Sequence, residues 1–343
     1  MVRFKLIPII AVIFFCGKSF PQRYPDTKID SLLNAGIRLT LNQNYDQAKS
    51  VFSHLISKYP MFPIGKIFAA SVYVAEAFDY SAPFKTDSIE YYISSARNEA
   101  EKLVEANKKN VWSQYSLAFA EGFYAYFQAL NKDWISAFTN GLSSMNNFKK
   151  CLKLDPDFYE AYTAIGTYMY WRSRKTQLFK WQPFFPNDEE EGIQYLKLAV
   201  DHATYTRYFA ANSLIWIYID QKNFKEAGKL AESMLKKFPD NRQFKLELAR
   251  SLESLNPAKA IEIYFDVLNS YSRIKGLNRC NEIQLKHIIA QQYFKIGNYK
   301  EALNLCNQIL GIKNLTDYEK EKLSKRLDRV IILKDNSLKE LSK

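Results

Sequence analysis

The chain has 343 residues, a formal net charge of +12, and hydrophobic and aromatic fractions of 47% and 15%. A chain of this length can bury a large apolar surface, and only 11 glycines and 11 prolines interrupt it. No segment of convincing length alternates apolar and polar residues as a strand does, so these numbers favour an all-α protein. The 4 cysteines are widely spaced, which excludes a disulfide framework and a zinc motif.

The N-terminus has the features of a secretory signal peptide. MVRFK is positively charged, LIPIIAVIFF is an apolar run of about ten residues, and Gly17 and Ser19 are small residues ahead of a cleavage point. The apolar run is shorter than the ~20 residues of a transmembrane helix. We expect residues 1–19 to be removed and the protein to be exported, to the periplasm or the outer membrane. The alternatives are an uncleaved membrane anchor and a lipoprotein modified at Cys16.

The mature chain stays basic, because the signal peptide removes three basic residues and no acidic one. A basic protein can suit nucleic acid, but an exported protein rarely meets any, so we expect no nucleic-acid partner. The charge fits better with an acidic face on a protein partner or with a peripheral contact with the envelope membrane.

A spacing of residues recurs along the rest of the chain. In residues 29–62, Gly36 stands twelve positions before Ala48, and an aromatic residue precedes that alanine by three positions. Apolar residues follow the alanine at four and seven positions. These steps place apolar side chains on one face of a helix. The same spacing recurs in residues 208–241 and 283–316.

The spacing predicts pairs of antiparallel helices joined by tight turns. Small residues, such as Ala227 and Ala302, let the two helices of a pair approach closely. Prolines end the second helices, at Pro60, Pro156 and Pro239. One pair cannot bury its apolar face alone, so neighbouring pairs must stack, and a substitution is expected to disturb only the structure near it.

This pattern resembles the tetratricopeptide repeat (TPR), whose unit is about 34 residues. The resemblance covers most of residues 29–316 and implies an all-α, right-handed superhelix of about six to seven helical hairpins. Residues 20–28 form a short linker before it. Weaker matches to the unit fall at 63–110, 111–156, 159–206 and 242–274.

The chain ends differently. Thr316 and Glu319 have the spacing of a capping box, which predicts the start of a final helix. We expect residues 317–343 to form a C-terminal capping helix with a polar tail, since a solenoid needs a polar end for solubility.

The sequence shows no recognisable catalytic or metal-binding motif. None of its three histidines has a second one at metal-ligand spacing, and it lacks HExxH, P-loop and GxSxG motifs. Cys280 falls in a predicted loop and is the candidate reactive thiol, whereas Cys151 and Cys306 occupy core positions of the repeat. We expect no cofactor, no metal and no enzymatic activity. An enzyme with an unrecognised site is the remaining alternative.

In TPR proteins the first helices of successive hairpins line a concave face that binds extended peptides or partner helices. The resemblance therefore implies a protein-interaction scaffold or assembly adaptor in the cell envelope. Aromatic and arginine side chains are typical anchors of such interfaces, although packing between hairpins is the other interpretation of the aromatic ones. The residues projected onto this predicted groove are Phe123, Tyr126, Thr167, Tyr170, Trp171, Asn212, Trp216 and Arg250.

The segment 172–187 is an enlarged loop within one repeat. Arg172, Arg174 and Lys175 lie there close to Trp181. Guanidinium groups and aromatic faces together can bind a carboxylate, a phosphate or a sugar. The alternative function is therefore a binding module for a small anionic or glycan ligand. The other interpretation is that the aromatic residues fold back and seal the long hairpin.

Overall fold

A computed structural model describes residues 22–176 and 188–343, and in them the chain forms fifteen α-helices. The first four hairpins are α1 (Thr27–Leu41) with α2 (Tyr45–Lys58), α3 (Pro63–Asp79) with α4 (Thr86–Ala106), α5 (Val111–Leu130) with α6 (Trp134–Leu154), and α7 (Glu160–Thr176) with α8 (Glu189–His202). The other three are α9 (Arg207–Asp220) with α10 (Phe224–Leu235), α11 (Arg242–Leu252) with α12 (Pro257–Ser272), and α13 (Cys280–Lys295) with α14 (Tyr299–Leu310). A last helix, α15 (Asp317–Leu341), follows them. The predicted all-α solenoid of six to seven hairpins with a final helix is confirmed.

Small residues lie where the two helices of a hairpin touch, as the spacing predicts. Ala48, Ala227 and Ala302 are fully buried. Gly36 lies against the ring of Phe52, and a Cβ atom at this glycine would come within 2.4 Å of that ring. The twelve-residue step from Gly36 to Ala48 therefore reflects a close crossing of α1 and α2.

The fourth hairpin is closed by a pair of glycines. A Cβ atom on Gly192 of α8 would lie 2.8 Å from the carbonyl oxygen of Gly166 on α7. The reverse contact, from a Cβ on Gly166 to the carbonyl oxygen of Gly192, would be 2.6 Å. Both distances are shorter than any real Cβ contact, so α7 and α8 meet backbone against backbone at this point.

The helix ends follow the predicted signals. The Thr316 hydroxyl accepts a hydrogen bond from the backbone N–H of Glu319, and the Glu319 carboxylate accepts one from the backbone N–H of Thr316. This reciprocal pair is the predicted capping box. The second helices α2, α6 and α10 end shortly before Pro60, Pro156 and Pro239.

The prediction for Cys280 is wrong. This residue does not lie in an exposed loop but begins α13, where its side chain is fully buried. Burial raises the pKa of its thiol, because the thiolate would lose its hydration. Cys151 and Cys306 are also free and buried.

The hairpins also make contacts far along the chain. The ring of Phe68 on α3 faces that of Phe209 on α9, with the centroids 6.5 Å apart. In the turn before α9, the Tyr205 hydroxyl donates a hydrogen bond of 2.5 Å to the carboxylate of Asp30 on α1. The superhelix is thus wound tightly enough for the first hairpins to touch the fifth. The expectation that a substitution disturbs only nearby structure needs correction for such residues.

Among the described residues, none of the helices combines the length and apolar character needed to cross a membrane.

Candidate interaction site

The turn after α3 joins the second hairpin to the end of the superhelix. The Asp79 carboxylate accepts hydrogen bonds from the hydroxyls of Tyr45 (2.9 Å) and Tyr271 (3.0 Å). Arg242, the first residue of α11, donates to both oxygens of that carboxylate, with Nε at 2.8 Å. Burial alone would lower the pKa of Arg242, but the hydrogen bond and the charge of Asp79 outweigh it, so the pKa rises.

The backbone of the same turn is also held. Asn281 of α13 donates a hydrogen bond to the carbonyl oxygen of Asp79 at 2.7 Å. The carbonyl oxygen of Ser81 accepts from Asn278 at 3.0 Å and from the hydroxyl of Tyr318 on α15 at 2.9 Å. We call residues 79–81 and these partners the clasp. These hydrogen bonds join the second hairpin to the last helices of the superhelix.

Most of the residues predicted for the groove lie partly at the surface. On α5, Phe123 is half-buried and Tyr126 is exposed, and their ring centroids are 6.1 Å apart. On α7, Thr167 and Trp171 are half-buried, and the Thr167 hydroxyl donates to the carbonyl oxygen of Thr163 at 2.7 Å. These four side chains keep some accessible surface on first helices, and the partner groove stays a prediction.

The structure excludes Tyr170 from the predicted groove. Its side chain is fully buried and packs with Leu214 and Ile217 of α9. Its hydroxyl donates a hydrogen bond of 2.7 Å to Asp220. Tyr170 therefore joins the fourth hairpin to the fifth and offers no surface to a partner. The cause is the length of α7, whose last turns reach the C-terminal end of α9.

Asn212 and Trp216 of α9 flank a buried carboxyl group on α11. Asn212 and Gln243 both donate to Oε1 of Glu247, the latter at 2.8 Å. The Trp216 indole also lies close enough to this carboxyl group to favour its ionised form, although Oε2 of Glu247 has no well-aligned donor in the described part of the chain. Burial raises the pKa of Glu247 to about 8, and the hydrogen bonds offset only part of that rise. Trp216 remains 37% exposed.

Arg250, the last residue predicted for the groove, is bound within its own hairpin. Its guanidinium pairs with the carboxylate of Glu253 at 2.5 Å. The other oxygen of that carboxylate accepts a hydrogen bond from the Tyr264 hydroxyl at 2.7 Å. The charge of Arg250 is therefore already matched before any partner arrives.

Residues 172–176 belong to α7 and not to the predicted loop, and the charges of Arg172 and Arg174 are matched there. Arg172 pairs with Asp188, and Arg174 pairs with Asp220 at 2.6 Å. The side chain of Lys175 and all of Trp181 lie outside the described residues. The predicted anion or glycan site in this loop therefore stays a prediction.

A row of exposed apolar side chains lies on α6, where the sequence predicts no site. Trp134, Ile135 and Phe138 are 65%, 84% and 68% exposed, and Leu142 is exposed as well. These four residues, which we call the α6 face, follow one another at helical spacing along the first half of the helix. That spacing is visible in the sequence, but it does not match the register of the repeat.

The opposite side of α6 is polar, which explains the exposure. Asn140 donates to Gln128 of α5 at 2.9 Å, and Ser144 donates to the backbone of that helix. Asn147 donates to Glu121 of α5 at 2.7 Å. A surface helix normally buries its apolar side and hydrates its polar side. The first half of α6 has the reverse arrangement, and a contiguous apolar surface of this kind is typical of an interaction site.

The α6 face borders the loosest junction of the solenoid. Near the α6–α7 loop the third and fourth hairpins are well packed, since Phe158 contacts Trp112 and Tyr115 with centroids 4.9 and 5.2 Å apart. First helices pack directly on one another at α1–α3, α3–α5, α7–α9 and α9–α11, whereas α5–α7 and α11–α13 are joined chiefly through the helix between them, and α6 makes fewer contacts with α7 than any other second helix makes with the helix that follows it.

No group of three or more histidine, cysteine or acidic side chains in the described ranges could hold a metal ion.

Comparisons with known proteins agree with the repeat spacing. Residues 30–60 match the family model described as tetratricopeptide repeat. None of the curated proteins matches the sequence. Among solved structures, the APC/C hetero-tetramer Cut9–Hcn1 has a TM-score of 0.53 at 13% identity, over 92% of this chain and 54% of that one. The chain thus spans about half the length of that relative.

Two further structures are TPR proteins. A thermophilic one from Thermus thermophilus has a TM-score of 0.41 at 14% identity, over 65% of this chain and 98% of that chain. The C-terminal part of a repeat-containing protein from Cytophaga hutchinsonii has a TM-score of 0.41 at 18% identity, over 85% of this chain and 99% of that chain. At 13% identity, the similarity to Cut9–Hcn1 is one of fold.

Proposed function

We propose that this tetratricopeptide-repeat protein is a non-enzymatic interaction scaffold or assembly adaptor of the cell envelope, and that it binds a protein partner through the α6 face. The TPR fold is consistent with an interaction scaffold. The observation that carries the proposal is the exposure of Trp134, Ile135 and Phe138 on one helix. Aromatic anchors of this kind contribute much of the binding energy of protein interfaces.

The charges on α6 define the chemistry of the partner. Lys149 and Lys153 are exposed and follow Leu142 by seven and eleven positions, which keeps them on the side of the helix that carries the α6 face. A partner segment with apolar residues followed by acidic ones would match this order. The basic net charge of the whole chain favours the same kind of partner.

A paired set of variants tests the proposal. The mature protein is used to capture partners from its own envelope fraction, together with a Trp134→Ala/Phe138→Ala variant. Both side chains are exposed, so we expect folding to survive. Tyr91→Ala is the matched control, because Tyr91 is an aromatic residue that is 69% exposed on α4.

We expect one protein to be captured by the wild type and by Tyr91→Ala, and to be lost from the double variant. Its binding segment should contain the apolar and acidic residues described above. Equal capture by all three proteins would place the partner elsewhere on the solenoid.

Export is a separate part of the proposal. It rests on the positive start, the short apolar run and the small residues Gly17 and Ser19. N-terminal sequencing of the native protein should find a chain that begins near Phe20. Recovery of intact Met1 from the cytosol would reject this part, and a lipid on Cys16 would favour the lipoprotein alternative.

Trp216 tests the rest of the predicted groove. If Trp216→Ala weakens partner binding by about 2 kcal/mol and leaves folding intact, the groove takes part in the interface. If the variant loses about 3–5 kcal/mol of folding stability instead, Trp216 belongs to the core. Both quantities are measured on the same purified variant, by partner titration and by chemical denaturation.

A further inference from the structure

A concave feature lies where α8, α9 and α10 meet. It is a cavity of about 420 Å³, which is in the size range of small-molecule sites. It is well separated in sequence from the α6 face. Its lining consists of Val200, Asp201, Arg207, Tyr208, Leu230, Ser233, Met234 and Lys237.

Two cationic side chains line the cavity without acidic partners. One terminal nitrogen of Arg207 donates to the carbonyl oxygen of Asp201 at 2.8 Å. Its Nε is buried and has no hydrogen-bond partner among the described residues. The ammonium group of Lys237 lies 5.9 Å from the centroid of the Tyr208 ring. Neither cation forms a salt bridge within 22–176 or 188–343. Arg207 is half-buried and Lys237 is exposed, so both charges remain open to an anionic ligand.

The rest of the cavity is apolar. Val200, Leu230 and Met234 contribute hydrocarbon side chains from α8 and α10. The hydroxyl of Ser233 already donates to the carbonyl oxygen of Leu230 at 2.7 Å, so it adds no free donor. Asp201 places an exposed carboxylate at the rim. This carboxylate disfavours a ligand that carries two negative charges.

The backbone that carries Arg207 is fixed before any ligand binds. Glu160 of α7 is fully buried, and its carboxylate accepts hydrogen bonds from the backbone N–H groups of Thr204, Tyr205 and Thr206 at 2.6, 2.9 and 3.0 Å. This anchor holds the α8–α9 turn directly before Arg207. A preorganised donor loses less entropy on binding than a mobile one.

We propose that this cavity binds a small amphipathic monoanion, a single carboxylate joined to a short hydrocarbon body. The carboxylate pairs with the guanidinium group of Arg207 and with the ammonium group of Lys237. The hydrocarbon body packs against Val200, Leu230 and Met234. The site is independent of the α6 face, so it remains open while a protein partner is bound there.

Titration of the mature protein with octanoate, followed by amide NMR shifts, tests the site. Octyl phosphate is the second probe, because it has the same chain with an additional negative charge. Octylammonium is the charge-reversed probe. The variants are Arg207→Gln and Lys237→Gln. Lys236→Gln is the matched control, since Lys236 is the exposed neighbour of Lys237 and does not line the cavity.

We expect octanoate to shift the amides of residues 207–208 and 233–237 in a saturable manner, with weaker binding of octyl phosphate and none of octylammonium. Arg207→Gln and Lys237→Gln should each raise the Kd for octanoate at least about tenfold, the usual effect of losing a hydrogen bond to a charged group. Lys236→Gln should leave the Kd unchanged.

Thermal melting of each variant shows whether it is folded. If Arg207→Gln does not fold, the Kd of Lys237→Gln for octanoate tests the site by itself. Three results would overturn the proposal. They are the absence of saturable shifts, an equal Kd for Lys237→Gln and Lys236→Gln, and binding of octylammonium as tight as that of octanoate.

Discussion

The clasp and the α6 face are two regions of opposite character. Polar groups pair with one another at the clasp, whereas apolar side chains are exposed on the α6 face. At the clasp, the end of α3 and the turn after it meet polar groups from α2 and from later segments of the chain, and Asp79, Arg242 and Ser81 all have partners. At the α6 face, Trp134 and Phe138 extend from the molecule with most of their area exposed. The polar groups of the first half of α6 are turned inward to α5 instead.

The difference indicates where this protein is available to a partner. Where the superhelix is closed, the chain has satisfied its own polar groups, and a partner would have to compete with paired charges. On the first half of α6, the chain leaves apolar area that water solvates poorly. We therefore place the partner at the α6 face and assign the clasp a structural role.

Breaking the clasp should have the largest effect. The side chains of Arg242 and Asp79 are only 9% and 10% exposed, so Arg242→Ala leaves a buried carboxylate without its cation. We expect the free energy of unfolding to fall by about 3–5 kcal/mol. Chemical denaturation measures it. Lys259→Ala, which removes an exposed pair with Glu262, is the control and should cost less than about 1 kcal/mol. Equal losses for the two variants would show that the clasp does not close in solution.

Gly192→Ala examines the close crossing of α7 and α8 in the fourth hairpin. The added Cβ would come within 2.8 Å of the carbonyl oxygen of Gly166, a backbone atom that cannot rotate away. We expect a loss of roughly 1–3 kcal/mol, because α7 and α8 must separate. Gly141→Ala on α6 is the matched control. Its nearest neighbour would be Ala125 at 3.9 Å, so it should be neutral or stabilise by up to about 1 kcal/mol. A neutral Gly192→Ala would contradict the close crossing.

The pH dependence of stability tests the burial of Glu247 on α11. The folded-state pKa of Glu247, about 8, lies above its ordinary value of 4.5. The folded state therefore binds the proton more tightly, and stability falls as the pH rises from about 4.5 to about 8, by up to roughly 1.4 kcal/mol per pH unit. Glu247→Gln should remove this component.

Denaturation curves at several pH values, for the wild type and Glu247→Gln, measure the difference between the two proteins. Subtracting the variant cancels the contribution of other titrating groups that the substitution does not disturb. A difference that stays constant from pH 5 to pH 8 would mean that Glu247 is hydrated and ionised.

The smallest stability effect is expected at the α6 face. Trp134→Ala/Phe138→Ala removes side chains that are largely exposed already, so the free energy of unfolding should change by less than about 1 kcal/mol. Solubility should improve, because apolar surface is lost. A loss of several kcal/mol, measured by chemical denaturation, would show that these side chains are buried in solution.

The hairpins could be predicted from the sequence, because each depends on a local spacing. Gly36 and Ala48 are twelve positions apart, and the contact they permit lies within one hairpin. The capping box at Thr316 is equally local. Such features follow from helix geometry alone.

The clasp could not be predicted, since Asp79 and Arg242 are far apart in sequence and meet only because of the pitch of the superhelix. Small rotations between hairpins set that pitch, and no single repeat encodes it. The repeat places Tyr170 in the groove for a related reason, because α7 is longer than the repeat implies. The repeat does not predict the α6 face, because Trp134 and Phe138 lie outside its register.

Site-specific photocrosslinking in the native cell tests the central claim most directly. A photoreactive phenylalanine replaces Phe138, and in separate proteins it replaces Tyr91 and Trp216. We expect a covalent adduct with one partner protein from position 138 and none from position 91. An adduct from position 216 with none from 138 would contradict this account and return the partner to the predicted groove.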